Sequence, residues 1–558
     1  MMSFFSFRQQ LASPKLSWQL CFLAIIGGFA AAMLIVLFTF TIKTIQHLYL
    51  TTYDNYTSLD ALSRFDLPIV GALIILFFSW LTGYKYQRTG IPFVLHRLKV
   101  AYGAIPFRNT IHQFIGGAVS LSTGFSVGKE GPVVHLGAAA SSFVGTTLNL
   151  PNNSIRTLCA CGIAAGIAAS FNTPIAAVLF VMEVILREYD IQMFIPIMLA
   201  AIIGSMVTSN VFGISHDYEF ISQIALTHQD FLILILLGVL LGTFAASFNH
   251  IIMFMIKRFE KFHIFTRLML AALITGSLGY LVPHAMGTGS SAVAFAMDHH
   301  NQIWFIMSLL SAKFLMTVLV IGLGMPGGLV GPIIGLGAVG GVFGALIIGF
   351  FIPGSYAGSD FALIGMAGFM AATLNAPLAA LLTVVELSNQ LDIMLPAMIV
   401  ITTACLISGQ LFKNRSVFTM QLDIQNLVYR KPPIETALQR VGVLSQMKQN
   451  FRIVNQIPED KNNLDDTQQP PLILKTVINN VTSYQWLEDK PSLLNPIDEP
   501  YCHHKLIPLY SQATLAEAYL LLLHQRDGGV YIYDQDDNDI IGMITFEQIK
   551  EYLLQGKL

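Results

Sequence analysis

Apolar residues in this chain come in long runs broken by short polar stretches, instead of alternating with polar positions. Runs at 17–42, 67–82, 157–182, 192–212, 229–256, 302–324 and 394–412 lie near or above the ~20 residues that cross a bilayer as a helix. In hydrocarbon every backbone N–H and C=O must be bonded inside its own segment, so the runs predict helices. No acidic or basic residue stands between Lys313 and Asp360, and the next acid after Asp360 is Glu386. The expected fold is an all-α polytopic membrane protein.

The pattern changes near Asn414. "NNLDDTQQPP" (462–471) and "LEDKPSLLNPIDEP" (487–500) read as polar, Pro-bearing loops. Order then returns: "ATLAEAYLLLLHQ" (513–525) has a helical apolar period, and "GVYIYD" and "IIGMIT" alternate as strands around the turn "DQDDND". "FEQIKEYLLQ" closes the unit as a helix. Residues 1–422 are therefore expected in the membrane, and 423–558 as a small α/β domain. Lys413 and Arg415 flank the last span and favour a cytoplasmic C-terminus, with the protein multi-pass in the cell (inner) membrane.

The membrane part repeats itself. "SFNTPIAAVLFVMEV" (170–184) is echoed by "TLNAPLAALLTVVEL" (373–387), and "GPVVHLGAAASSF" (131–143) by "GPIIGLGAVGGVF" (331–343). Asn172, Pro174 and Glu183 thus fall opposite Asn375, Pro377 and Glu386. Duplicated halves are typical of transporter folds, and inversion about an axis in the membrane plane is the expected arrangement.

Composition agrees with the pattern: 54% of residues are hydrophobic and 11% charged, against about 25% charged in an ordinary soluble domain. The net charge of −2 argues against nucleic acid as a partner. The first apolar run is too long for a signal-peptide core and lacks a convincing cleavage site, so it reads as a retained helix. Four of the five cysteines lie in apolar segments and act as small hydrophobes, with no disulfide framework. "YCHH" (501–504) has no partner cluster and reads as a loop. No metal or other cofactor is expected. HExxH, GxS and paired-acid arrangements are absent from the spans, so an enzyme is not expected either.

Chemistry concentrates where the runs are interrupted. "GKEGP" (128–132), "GLVGP" (328–332) and "TGIP" (89–92) each place a Gly-rich turn before a proline that opens an apolar helix. Proline suits the first helical turn, and the uncovered N–H groups of a helix N-terminus form an anion site. Glu130 stands in one of these turns. Its carboxylate competes with an anion for the same donors, occupying the site when ionised and leaving when protonated. Read blandly, it is a helix-start charge paired with Lys129, but an ionisable residue inside an apolar run is a functional candidate. His135, one turn later, reads as a polar helix residue with a local partner more readily than as a proton relay.

These motifs resemble the CLC family of chloride channels and chloride/proton exchangers, over about residues 17–422, with a C-terminal region that resembles CBS domains. "GKEGP" is similar to the family's G(K/R)EGP, which implies that Glu130 is the gating glutamate. "GLVGP" is similar to GxFxP, with Val330 for Phe, and "RTGIP" to GSGIP, with Arg88 and Thr89 replacing Gly and Ser. The resemblance implies an anion site formed by Thr89, Gly90, Ile91, Gly131, Leu329, Val330 and Phe418, where Phe418 replaces a tyrosine and lacks its hydroxyl. It also implies a homodimer with one pore per subunit.

The largest departure is Val184, which occupies the position where family exchangers carry an internal proton-transferring glutamate. Glu183 and Glu386 read as buried structural carboxylates bonded to neighbouring loops. The expected function is a passive chloride channel gated by protonation of Glu130. The alternatives are a chloride/proton antiporter and, from another class, a membrane-bound anion sensor signalling through the CBS-like domain. Gln548 stands where CBS domains carry a ribose-binding aspartate, which weighs against nucleotide binding, and the first CBS unit, at 440–456, reads as degenerate.

Overall fold

The structure is a computed structural model that describes residues 4–83, 90–213, 230–298, 302–351, 358–457, 470–478, 481–489, 501–524, 526, 528–536 and 539–554. It divides into two compact units, one of Cys21–Val144 with Arg156–Tyr429, the other of Met1–Leu20, Gly145–Ile155 and Arg430–Leu558. The division at 429/430 comes later than the 422/423 expected from sequence. The helix Val417–Ile424 packs against Gly90–Val100 inside the first unit.

The first unit is helical. Nine helices among the described residues, from Trp18–His47 to Met394–Leu411, are long and apolar enough to cross a membrane. Two of them, Ile264–Leu281 and Val330–Phe351, are absent from the runs read as spans, although the second was expected as an apolar helix opened by Pro332; Arg267 marks the first and a glycine-rich composition the second. The run expected at 157–182 is broken. Asn152–Phe171 ends at Asn172, whose φ is 56°, and a new helix starts at Pro174. The second half repeats the break: Gly358–Leu374 ends before Asn375, φ 54°, and Pro377 opens Pro377–Ser388. Asparagine tolerates this left-handed turn, and proline cannot continue the preceding helix but starts the next.

The two halves meet at equivalent residues. Gly128 and Gly328 exchange both backbone hydrogen bonds, each 2.7 Å, as an antiparallel bridge. A reciprocal antiparallel pair of equivalent residues defines a local two-fold, the relation an inverted repeat requires. The helix pairs behind the bridge also match. A Cβ on Gly137 would lie 2.3 Å from the Gly162 carbonyl oxygen, and one on Gly365 would lie 2.3 Å from that of Gly337. Each crossing therefore demands glycine, as close helix packing in membranes commonly does.

The second unit holds a six-stranded sheet in the order β1 (Arg452–Val454), β2 (Leu472–Ile478), β3 (Val481–Asp489), β4 (Tyr501–Tyr510), β5 (Gly529–Tyr533) and β6 (Ile540–Thr545). β1–β2 and β4–β5 are parallel; the other neighbours are antiparallel. Parallel-then-antiparallel thus occurs twice, as expected of two related units. The second is complete, with the helix Leu515–Leu522 crossing between β4 and β5 and Phe546–Leu554 following β6. "YCHH" lies in strand β4, not in the loop expected, and much of the stretch at 487–500 lies outside the described residues.

The N-terminal helix Phe4–Ala12 belongs to this second unit. Buried Arg8 donates to Asp534 and to the Ser511 hydroxyl, both at 2.8 Å. Leu11 and Ala12 are buried, and the Leu11 carbonyl accepts from Asn153 and Ser154 of the 145–155 segment.

Candidate anion site

The bridge between Gly128 and Gly328 places the two helix starts side by side. Glu130 opens Glu130–Thr147, and Val330 opens Val330–Phe351. The Glu130 side chain does not turn to solvent; it is 4% exposed. Its carboxylate folds back against the backbone of Gly128 and of Gly331, the second residue of the opposing helix. Its Oε1 lies 3.2 Å from where a Cβ on Gly331 would stand, and its buried Oε2 has no hydrogen-bond partner among the described residues. A carboxylate therefore lies beside the start of the helix contributed by the other repeat, where backbone donors suit an anion.

Lys129 does not pair with it. Its ammonium donates to the Ser170 carbonyl at 2.8 Å and lies 4.1 Å from the centre of the Phe171 ring. The local partner expected for His135 is also absent. The ring is fully buried, stacks on Phe93 with centroids 5.5 Å apart, and neither nitrogen is hydrogen-bonded.

A cavity of about 490 Å³ adjoins the helix starts, and Gly90, Ile91, Gly131, Leu329 and Phe418 line it. Val330 is buried beside them at the head of its helix. Five residues named from sequence, on four separate segments, thus face one space. Thr89 and Arg88 lie outside the described residues. Gln421, Gln425, Glu260 and Arg267 complete the polar lining; sequence reading missed them, although "KRFEKFHIFTR" (257–267) interrupts two apolar runs with charge.

Val184 is buried in a π-helical turn, Val181–Leu186, that ends at Arg187 with φ 58°. The next carboxylate, Glu188, is clasped by Arg156 at 3.1 Å and Lys99 at 3.2 Å. Glu183 accepts from Ala379 N–H at 2.7 Å and Leu378 N–H at 3.3 Å, while Glu386 accepts from Ala176 at 2.7 Å and Ile175 at 3.0 Å.

A second buried group supports the site from behind. Asp54 accepts from Thr288 N–H at 3.0 Å and from the Ser290 hydroxyl at 2.8 Å, and Lys313 donates to Ala285 and Gly287 carbonyls at 3.0 and 2.7 Å. These bonds fix a turn whose Thr288 oxygen would be 3.0 Å from a Cβ on Gly331. Lys313 was visible as a lone charge within a span; its partners were not, because they come from a distant turn.

In the second unit Gln548 is occupied locally. Its side-chain oxygen accepts from Thr545 N–H at 2.9 Å, capping the last helix. Among the described residues no cluster of histidine, cysteine or carboxylate has the makings of a metal site.

Repeated halves, broken helices and paired helix starts on a carboxylate define a polytopic ion-transport protein. Residues 70–409 match the family model described as voltage gated chloride channel, and the chain belongs to that family, whose members are channels and transporters, not enzymes. It is 27% identical over 434 residues to the H(+)/Cl(-) exchange transporter ClcA of Vibrio cholerae serotype O1, spanning 74% of this chain and 91% of the relative. The ClcA of Vibrio campbellii is 28% identical over 320 residues, 56% of this chain and 68% of that one. Among solved structures, a slow cyanobacterial Cl−/H+ antiporter superposes with a TM-score of 0.65 at 20% identity, covering 74% of this chain and 99% of the other. A eukaryotic CLC transporter gives 0.61 at 19% identity, with 95% and 97% covered.

Proposed function

We propose that the protein exchanges chloride for protons across its membrane, with Glu130 as the group through which the two ions are coupled. The observation that carries this reading is the buried Glu130 carboxylate lying against Gly331 at the start of the opposing helix. An anion and an ionised carboxylate cannot share the same donors, so anion binding favours the protonated, displaced side chain. By linkage, protonation favours the anion equally. One site thereby couples the two ions. The exchange-transporter relatives, matched over most of their length, support exchange over the passive channel expected from sequence.

The channel reading retains one observation in its favour: Val184 is buried and carries no proton. Exchange then requires a proton route to Glu130 that avoids this position. Chloride is held by backbone N–H groups at Ile91, Gly131, Leu329 and Val330, with Gly90 providing the turn and Phe418 an apolar wall. No resident cofactor enters this scheme. The α/β unit on the cytoplasmic side and a homodimer with one pathway per subunit belong to the same proposal.

The test uses the full-length protein in liposomes loaded with chloride and diluted into low chloride. Uphill proton uptake on chloride efflux is expected. Chloride efflux without proton movement would return the channel reading, and no flux of either ion would return the anion sensor.

A further inference from the structure

The cavity that reaches the helix starts contains two ionisable side chains among its described lining residues, Glu260 and Arg267. Both belong to the stretch 257–267 that joins the helices Asp230–Phe259 and Ile264–Leu281 and takes in the last turn of one and the first turn of the other. This connection is strongly basic. Lys257, Arg258 and Lys261 are exposed on it and Glu260 is its one acid. Such an excess marks a cytoplasmic turn, so the cavity opens on the side from which cytoplasmic anions enter.

Arg267 differs from the other cations of the turn. It stands in the first turn of its helix, half-buried, and its Nε–H donates to the Leu323 carbonyl at 2.8 Å. Leu323 leads into the Gly324–Leu329 segment that lines the same cavity. The guanidinium is thus fixed to the wall of the route, and it does not swing freely in solvent. A fixed charge in a cleft with low-dielectric walls focuses its field along the cleft and raises the local concentration of oppositely charged ions. Its anchor is the Leu323 carbonyl; a full positive charge at the helix starts themselves would trap the anion instead of releasing it.

On the transport reading above, we propose that Arg267 is the anion-collecting charge of the cytoplasmic vestibule, with Glu260 opposing it. Arg267 draws chloride into the cavity and the helix starts bind it; Glu260 limits the accumulation. The two side chains therefore act with opposite sign on the same step.

Chloride flux is measured on full-length protein in liposomes at ionic strengths of ~0.01 M and ~1 M, where the screening length falls from about 30 Å to about 3 Å. At low ionic strength Arg267→Gln is expected to raise the apparent KM for chloride several-fold while leaving the saturated rate within about twofold, the size of effect that steering permits. Arg267→Lys should keep most of the wild-type KM, and Glu260→Gln should lower it. At high ionic strength all four proteins should converge. An Arg267→Gln defect that persists at high ionic strength, or one shared fully by Arg267→Lys, would overturn the proposal and leave only the Leu323 anchor. An unchanged KM at low ionic strength would overturn it too. Absence of flux in the wild type is a different result and counts against the transport reading itself.

Discussion

Glu183 and Glu386 each cap the helix that follows the break in the opposite repeat. Glu183 receives the N–H groups of Leu378 and Ala379, just inside Pro377–Ser388; Glu386 receives those of Ile175 and Ala176, just inside Pro174–Phe180. The helix-start donors that proline leaves open are satisfied by a carboxylate from the other half. The exchange ties the repeats together at the Asn-Pro breaks, as the Gly128–Gly328 bridge does at the candidate anion site.

Glu183→Ala and Glu386→Ala are expected to destabilise the protein by about 1.5–3 kcal/mol each, the range for hydrogen bonds to a charged group. Thermal unfolding in detergent measures this. Glu183→Gln should retain proton coupling, because its carboxylate is already committed to Ala379 and Leu378. Loss of coupling in that variant would make Glu183 the missing proton carrier.

Removing the Glu130 charge should separate the two ions. Glu130→Gln is expected to conduct chloride at acidic and neutral pH alike, with little pH dependence and without proton movement. Efflux assays with a pH electrode read both. A variant that kept the wild-type pH profile would show that the carboxylate on Gly331 is a structural cap.

Phe418 is 2% exposed and presents only carbon to the cavity. Phe418→Tyr adds one donor, and a hydrogen bond to a charged partner contributes up to about 1.5–3 kcal/mol. Chloride binding by calorimetry should tighten by several-fold at least. Unchanged affinity would place the anion away from the Phe418 ring.

These contacts show what the sequence could and could not reveal. The repeated Asn-Pro motif, the two Gly-Pro turns and the matched carboxylates were legible because each is a short motif written twice. The break at Asn172 was not read as the end of a span, since its apolar flanks run on to either side. Asp54 with Thr288 and Ser290, Lys313 with the Ala285 and Gly287 carbonyls, and Glu188 with Arg156 and Lys99 were not legible: each joins residues far apart in the chain, and no local pattern pairs them. The strands β2 and β3 were hidden for another reason, since polar positions of an α/β unit resemble loops.

Arg8 and Asp534 give a pH-dependent contribution in the second unit. Burial alone would raise the Asp534 carboxyl, but bonds from Ser511 and Arg8 hold it below the usual carboxylate range. A depressed carboxylate pKa contributes stability above the unfolded value of about 3.9, and that stability is lost as pH falls through the folded value. Arg8→Ala is expected to weaken protection of the 511–534 backbone against hydrogen exchange by about tenfold at neutral pH, equivalent to ~1.4 kcal/mol. The difference from wild type should vanish below about pH 3. A difference that is unchanged by pH would mean that Arg8 acts through packing alone.

With Gln548 bonded to Thr545, adenine nucleotides are expected to bind the full-length protein weakly or not at all. Calorimetry with ATP and AMP checks this, and micromolar affinity would contradict it.

Coupling through Glu130 is tested most directly by the reversal potential of the reconstituted protein under a fixed chloride gradient, with and without a superimposed pH gradient. Exchange predicts that the reversal potential moves with the pH gradient at a constant stoichiometry, and that Glu130→Gln abolishes the movement. A wild-type reversal potential that follows chloride alone would contradict exchange and establish a passive chloride pathway.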